Sequence, residues 1–204
     1  MDTDFNYKAS LWSKELSGGT WNHQYLQTGG YEYSAGLSVI VNNGTIYVAG
    51  EQYDSSTYYP FIWSGTSVTS LAEAQLPIPD AYISDRDGHA HSVYVYNGKV
   101  YSAGYYKVDD GNGSYYYRAA LWIDSSNPDL YAPDDENDSA AFSVHIYNGD
   151  IYVAGNIEKP KNESEDYVQP CYWKNGVRVE LDAPEYGNNA KDYYNIGAHA
   201  IVVQ

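Results

Sequence analysis

Apolar and polar residues alternate along three short runs of the chain, and each run is rich in Val and Ile. The runs are "LSVIVN" (37–42), "HSVYVY" (91–96) and "FSVHIY" (142–147). Such alternation predicts a β-strand with one buried face. Each run leads into Asn-Gly and then into a second apolar run of the form Ile/Val-Tyr-x-Ala-Gly. Asn-Gly favours a two-residue turn with positive φ at both positions, so each unit predicts a β-hairpin.

Two further strands are predicted after each hairpin. An aromatic run that ends in Trp comes first, and a short run with a leucine follows it. The aromatic runs are "YYPFIW" (58–63), "YRAALW" (117–122) and "VQPCYW" (168–173), and the short runs are "SVTSL", "NPDLY" and "VRVEL". Pro60 and Pro170 fall inside the predicted third strands, where proline requires a bulge or a strand start.

The whole unit repeats along the chain at a nearly constant period. Its turn glycines, Gly44, Gly98 and Gly149, are separated by 54 and 51 residues. Four antiparallel strands repeated about every 50 residues are typical of the blades of a β-propeller. The predicted fold class is therefore all-β, a β-propeller of four-stranded antiparallel blades with four repeats.

The two ends of the chain supply parts of the fourth repeat. "NYKASLW" (6–12) matches the Trp-ending strand, and "WNHQYL" (21–26) matches the fourth strand. "AHAIVVQ" (198–204) matches the first strand, with Ala200 where the other repeats have Ser. The sequence thus predicts a single propeller domain over 1–204 with one blade composed from both termini. The predicted blades are about 197–204 plus 5–27, 37–76, 91–133 and 142–184.

The composite blade has no second strand, which is the "NGxIYVAG" segment of the other repeats. Three explanations are open. The chain is part of a longer repeat protein, or the ring closes with a three-stranded blade, or a strand from another chain fills the gap. The last is strand addition between subunits, and applied head to tail it gives an open filament.

Composition narrows the range of partners. The formal charge is −16 and the chain has 25 tyrosines. This charge repels phosphate, so we expect neither nucleic acids nor anionic membranes as partners. No apolar run approaches the roughly 18 residues of a membrane span. The start, "MDTDFNYK", is acidic and unlike a signal peptide, so we expect an intracellular protein or a mature or excised segment.

Two sets of ring-bearing residues are candidates for binding or structure. The Trp that ends each third strand recurs position for position, which favours an anchor packed between blades over a platform for a ligand. These residues are Trp12, Trp63, Trp122 and Trp173. His91 and His199 share one repeat position on opposite blades of a four-bladed ring. They are predicted to face each other across the central channel, where a metal or an anion could bind; the alternative is that both face water.

Other sites of chemistry have weaker support. Acidic loops with glycine can hold calcium, although solvated charge is the favoured interpretation; the loop candidates are Asp109, Asp110 and Asn112. No cofactor is otherwise predicted. Four N-x-S/T matches are candidate glycosylation acceptors: Asn43, Asn112, Asn137 and Asn162. A single cysteine, Cys171, excludes an internal disulfide and is predicted to be a buried thiol.

The repeats resemble those of uncharacterised bacterial secreted or surface β-propeller proteins, which are Kelch-like in the broad sense. The closest matches are "SVHIYNGDIYVAG" (143–155) and "PCYWKNGVRVEL" (170–181). The resemblance implies an extracellular or cell-surface module and transfers no catalytic residue.

No nucleophile elbow, HExxH, phosphate-binding loop or CxxC occurs, so the chain is predicted not to be an enzyme. We expect a non-enzymatic module in assembly or binding, with protein (self-association or neighbouring repeats) or glycan as partner. The alternatives are a lectin-like propeller and, with less support, a glycan-active enzyme.

Overall fold

The regular structure of the chain consists of β-strands, and all of them pair antiparallel. The computed structural model describes residues 7–15, 17–79, 87–109, 112–130, 138–162, 165–182 and 197–204. Within these ranges the strands form a two-stranded sheet and three four-stranded sheets. Among the residues described, no helix has the length and apolar character needed to cross a membrane.

The strands follow one another in chain order within each sheet. The N-terminal pair consists of β1 (Ser10–Ser13) and β2 (Asn22–Tyr25). Sheet 1 consists of β3 (Tyr33–Asn42), β4 (Thr45–Tyr53), β5 (Tyr58–Gly65) and β6 (Ala72–Gln75). Sheet 2 consists of β7 (Gly88–Tyr96), β8 (Lys99–Asp109), β9 (Tyr115–Ile123) and β10 (Asp129–Leu130). Sheet 3 consists of β11 (Ser139–Tyr147), β12 (Asp150–Asn162), β13 (Glu165–Lys174) and β14 (Val177–Glu180).

The predicted Asn-Gly turns are confirmed. Asn43 has a φ of 49° and Gly44 a φ of 80°, and the turns at 97–98 and 148–149 have the same signs. Positive φ at both central residues gives a turn whose twist matches that of the flanking strands. Each turn therefore fixes the register between the first and second strands of its sheet.

The first strand of each sheet contains a bulge and begins three or four residues before the start that the sequence predicts. The register shifts between Gly36 and Ser38 in sheet 1, and the shift recurs between Ala90 and Ser92 and between Ala141 and Ser143. The extra residue breaks the apolar alternation, so the sequence pattern reveals only the part of the strand that follows it.

Pro60 lies in the middle of β5 without removing a hydrogen bond from the sheet. Its carbonyl accepts from the Leu76 N–H at 2.8 Å. The missing N–H would point to the same side, beyond the last residue of β6. There it faces Gly88 of sheet 2, whose missing side chain leaves room for the proline: a Cβ on Gly88 would lie 3.1 Å from Pro60 Cδ.

Consecutive sheets pack face to face, and the hydrophobic cores lie between them. One core joins sheets 1 and 2 through residues such as Ile62, Val93 and Trp122, and another joins sheets 2 and 3. The Trp122 indole N–H also donates to the Pro77 carbonyl, in the link between the two sheets, at 2.8 Å. Three sheets thus follow one another as blades of a propeller-type fold, and four repeats fit this arrangement. A closed ring does not follow from these contacts.

Candidate functional site at the fourth sheet position

The N-terminal pair takes the place of the third and fourth strands of a further sheet. The Ala9 N–H donates to Ser34 Oγ at 2.8 Å, and the Ala119 N–H of β9 donates to Ser139 Oγ at 2.9 Å in the same repeat position. The Leu26 N–H donates to the Ala9 carbonyl at 2.8 Å, as Leu76 does to Pro60. The pair is therefore placed against sheet 1 as sheet 2 is placed against sheet 3.

The last residues of the chain, 197–204, take the place of a first strand; we call them the C-terminal segment. The Ile201 N–H donates to Ser143 Oγ at 3.4 Å. The same bond joins sheets 1 and 2 (Val93 to Ser38, 3.3 Å) and sheets 2 and 3 (Val144 to Ser92, 3.2 Å). The predicted equivalence of Ala200 with the three serines thus agrees with the contacts that the segment makes.

The place between these two parts is that of a second strand. In each four-stranded sheet the second strand pairs with the first strand on one side and with the third on the other. In the part of the chain that the structure describes, β1 pairs only with β2, and the C-terminal segment belongs to no sheet. We call this place the seam. One border of the seam is an edge of β1 and the other is the C-terminal segment, and another strand can pair with backbone groups of both.

Apolar side chains at the seam are exposed although their repeat equivalents are buried. Val39 is 55% exposed, whereas Val93 and Val144, at the same repeat position, are 5% and 4% exposed. Val41 is 64% exposed, whereas Val95 and Ile146, at its repeat position, are 9% and 4% exposed. Val202 on the C-terminal segment is also exposed, at 72%, but its repeat equivalents are only half-buried. Monomeric proteins rarely leave such a group of apolar residues uncovered unless it serves as an interface.

The four repeated tryptophans differ in the same way. Trp63, Trp122 and Trp173 are at most 1% exposed and act as anchors between sheets, whereas Trp12 is 60% exposed. The Trp12 ring lies against the His23 imidazole, with ring centroids 4.4 Å apart. Its repeat position directs it away from sheet 1, toward the side on which a preceding sheet would cover it.

The second strands of the complete sheets show what covers these positions. Tyr47 and Ala49 of β4 contribute to the core that contains Val93. Tyr101 and Ala103 of β8 contribute likewise to the core between sheets 2 and 3. Val39 and Val41 therefore occupy positions that a Tyr-x-Ala pair covers elsewhere.

A glycine follows this pair in all three second strands, and it has a steric reason. A Cβ on Gly104 would lie 1.9 Å from the His89 carbonyl oxygen and 3.0 Å from Trp122 Cζ3. A Cβ on Gly155 would lie 2.0 Å from the Ala140 carbonyl oxygen and 2.8 Å from Trp173 Cζ3. The bulge of the first strand and the Trp of the third strand thus leave room only for glycine between them.

The two histidines of the predicted channel site lie near each other but not side by side. The Phe142 ring stands between them, with centroids 5.4 Å from His91 and 4.7 Å from His199. Burial, and next the charge of His89, lower the pKa of His91 to about 4, so His91 is neutral at pH 7. No group of three or more residues that could hold a metal ion occurs within the described ranges. Binding of a metal or anion by this pair stays a prediction.

Sequence reasoning missed an ionic cluster between sheets 1 and 2. His89 Nδ1 donates to Glu51 Oε2, and His89 Nε2 lies 3.4 Å from Asp87 Oδ1. Burial alone would lower the pKa of His89, but the hydrogen bonds to and charges of Asp87 and Glu51 outweigh it and raise the pKa to about 9. The Tyr117 hydroxyl donates to Asp87 Oδ2 at 3.0 Å. The cluster therefore fixes a protonated imidazole between two carboxylates of neighbouring sheets.

The remaining candidates are spread over turns and loops. Asn43 lies exposed in its hairpin turn, and Asn112 lies exposed beside β9. Asp109 ends β8, whereas Asp110, a calcium candidate, and Asn137 lie outside the described residues. Asn162 ends β12. Cys171 is buried, and burial raises the pKa of its thiol to about 12.

Comparisons with known proteins give a partial likeness in structure. No protein-family model matches the chain, and no curated protein sequence matches it significantly. A mutant of the GH32 β-fructofuranosidase of Bombyx mori in complex with sucrose is 14% identical, with a TM-score of 0.40 over 73% of this chain and 34% of that one. The sialidase of Trypanosoma rangeli is 13% identical, with a TM-score of 0.38 over 88% and 34%. The chain thus spans about a third of either protein, and similarity at this level bears on neither its activity nor its substrate.

Proposed function

We propose that this chain is a non-enzymatic propeller-type module that acts in assembly or binding. Its fourth sheet is completed at the seam by a β-strand from a neighbouring subunit or repeat. The observation that supports this function is the exposure of Val39 and Val41, since their repeat equivalents are buried in both complete interfaces. Within the described residues, the C-terminal segment lies in the place of the first strand of this sheet, β1 and β2 lie in those of the third and fourth, and no strand lies in that of the second.

Strand addition is energetically reasonable at such a place. Full burial of one valine side chain contributes about 1.5 kcal/mol or more, and a second strand at the seam would cover two of them, Val39 and Val41. An added strand also pairs its backbone with two strand edges, whereas strands added at the rim of a sheet pair with one. Both gains offset the cost of ordering a flexible peptide.

The non-enzymatic part of the proposal is supported by the ionic cluster. Both ring nitrogens of His89 face carboxylates, and Tyr117 is bound to one of those carboxylates. A histidine that is held protonated in this way is not available as a general base at pH 7. The cluster is thus suited to joining two sheets.

The function is tested with peptides that cover residues 43–51, 97–105 and 148–156, each of which contains an Asn-Gly turn and the first part of a second strand. We expect at least one peptide to raise the melting temperature of the chain and to protect the amides of the C-terminal segment and β1 from hydrogen exchange. Val39→Asp should abolish both effects, because it places a charge where the peptide buries an apolar face.

A matched control is Val177→Asp, since Val177 is 67% exposed and lies on β14, away from the seam. It should leave both effects unchanged. Absence of any effect from all three peptides would contradict the proposed function.

Extracellular or cell-surface placement remains part of the proposal, and carbohydrate binding is the alternative. Tyr7 and Tyr115 are both more than 60% exposed and can stack on sugars. Glycan-array binding that is lost on Tyr115→Ala would favour this alternative.

A further inference from the structure

We infer that the seam is a peptide-binding site that selects a strand with the sequence Tyr-x-Ala-Gly in one fixed register. The inference rests on the proposed function and adds the chemistry of the occupant. The occupant is a strand of the same repeat type, "NGxIYxAG" or its Val variant, carried by another polypeptide.

The Tyr-x-Ala part follows from the face that the occupant covers. In the two complete interfaces, the Tyr and Ala of a second strand share a core with apolar residues of the next first strand, which are Val93 in one and Val144 and Ile146 in the other. At the seam those residues are Val39 and Val41, and both are exposed. A shift of the occupant by one residue would turn its Tyr and Ala to the other face. The apolar pattern therefore sets the register.

The glycine follows from two neighbours that are already in place. The C-terminal segment provides the backbone carbonyl of Gly197, which is equivalent to the carbonyls of His89 and Ala140 that approach Gly104 and Gly155. The N-terminal pair provides Trp12, which is equivalent to Trp122 and Trp173. Any side chain at this position of the occupant would meet both. The seam therefore accepts glycine and excludes larger residues.

A separate polypeptide is favoured over a second folded copy of this chain as the source of the strand. Within the described residues the second strands are β4, β8 and β12, and each pairs on both sides within its own sheet. A second copy could donate one of them only by opening a sheet and exposing a buried core. An unpaired segment of the same sequence has no such cost.

The experiment uses the full chain and the nonapeptide "NGDIYVAGN", which reproduces residues 148–156. Its binding is measured by isothermal titration calorimetry. We expect the peptide in which the glycine equivalent to Gly155 is replaced by alanine to bind at least about tenfold more weakly, since overpacking by one methyl group has a cost of this order. A scrambled peptide should not bind.

The protein side of the contact is tested with Trp12→Ala and its control Trp21→Ala. Trp21 is 63% exposed but does not occupy the repeat position of Trp12. In the Trp21→Ala variant, binding should shift the tryptophan emission, because the Trp12 ring gains a contact with the added strand like that of Trp122 with Gly104, while the other three tryptophans are buried from the start. Trp12→Ala should remove this shift and relax the discrimination against alanine in the peptide.

The outcomes separate this inference from the proposed function. If the glycine and alanine peptides bind equally well at the seam, the register and glycine requirement is wrong while strand completion stands. If no peptide binds, the proposed function itself is contradicted. If the chain alone forms a dimer that the peptide cannot dissociate and that Val39→Asp breaks, the occupant is a second copy, and the inference of a separate polypeptide is overturned.

Discussion

The same repeat positions form the interface between sheets 2 and 3 and the seam, but their side chains are covered only in the interface. In the interface, Val144 and Trp173 are buried by the second strand and the neighbouring sheet. In the seam, Val39 and Trp12 have the same repeat positions and are exposed. The side chains are alike, so the difference comes from the missing neighbour.

The comparison shows that one repeat alone cannot bury all of its apolar side chains. A single sheet has two apolar faces, and it buries them only when a sheet lies on either side. Sheet 2 has both neighbours, and its core residues Ala103 and Leu121 are fully buried. The N-terminal pair and the C-terminal segment each have one neighbour, and both expose apolar side chains on the other side.

The largest expected effect comes from removing the same tryptophan in the two regions. Trp122→Ala should lower the free energy of unfolding by about 3–5 kcal/mol, because it empties a large volume in a closed core. Trp12→Ala should change it by less than about 0.5 kcal/mol, because the side chain is exposed. Guanidinium unfolding followed by circular dichroism measures both.

Equal losses of unfolding free energy in the two variants would contradict this difference between the interface and the seam. They would mean that Trp12 is covered in solution and that the ring closes without an added strand. A loss of stability in Trp12→Ala that occurs only in the presence of the nonapeptide would show that Trp12 contributes to stability when a strand occupies the seam.

A smaller effect is expected from pH, and it is specific to the interface between sheets 1 and 2. The pKa of His89 is raised from 6.5 to about 9 in the folded chain. The stability that this histidine contributes is therefore complete below pH 6.5 and is lost as the pH rises through 9. The loss should be of the order of 3 kcal/mol.

The opposite sign is expected for His91. Its pKa is lowered to about 4, so its contribution is complete above pH 6.5 and decreases as the pH falls toward 4. Stability should thus have a maximum near pH 6.5. Urea unfolding at several pH values should show that His89→Gln flattens the alkaline side. It should also weaken the acid side, because the charge of His89 helps to lower the pKa of His91. An unchanged alkaline slope would show that His89 is not the group responsible.

The smallest effect concerns the serine hydroxyls that join consecutive first strands. Ser92→Ala removes the bond from the Val144 N–H and should cost about 1 kcal/mol. Ala200→Ser places a hydroxyl at the same repeat position on the C-terminal segment, where it should change the free energy of unfolding by less than about 0.5 kcal/mol. A clear stabilisation by Ala200→Ser would show that Val39 lies next to this residue and that the ring is closed.

Much of the fold was predictable because the repeat places the same residues in the same local roles. The turns at Gly44, Gly98 and Gly149 and the strands that end in Trp were identified from short patterns, whose physical causes are local. The starts of the first strands were missed because the bulge interrupts their alternation. The prolines of the third strands made those strands doubtful until the direction of their carbonyls was known.

The candidate site was less predictable, because its features depend on contacts between repeats. The lack of a fourth "NGxIYVAG" segment could be read from the sequence, but the exposure of Val39 and the steric role of Gly104 could not. The ionic cluster was missed for another reason: Glu51 and His89 belong to different repeats, and Ala35 and Ala140 occupy the position of His89 in the other two. A repeat pattern cannot reveal a pair that occurs once.

The contact between Pro60 and Gly88 has a consequence for how the gene can change. Two other junctions place a serine hydroxyl opposite a backbone N–H at this point, through Ser34 and Ser139. Exchanging the second and third repeats would place Pro60 opposite Ser139, whose hydroxyl would have no N–H donor there. It would also separate Glu51 from His89. Although the repeats have similar sequences, the contacts of each repeat fit only the repeat that follows it. Recombination that reorders them would therefore produce chains that fold poorly unless both sides of a junction changed together.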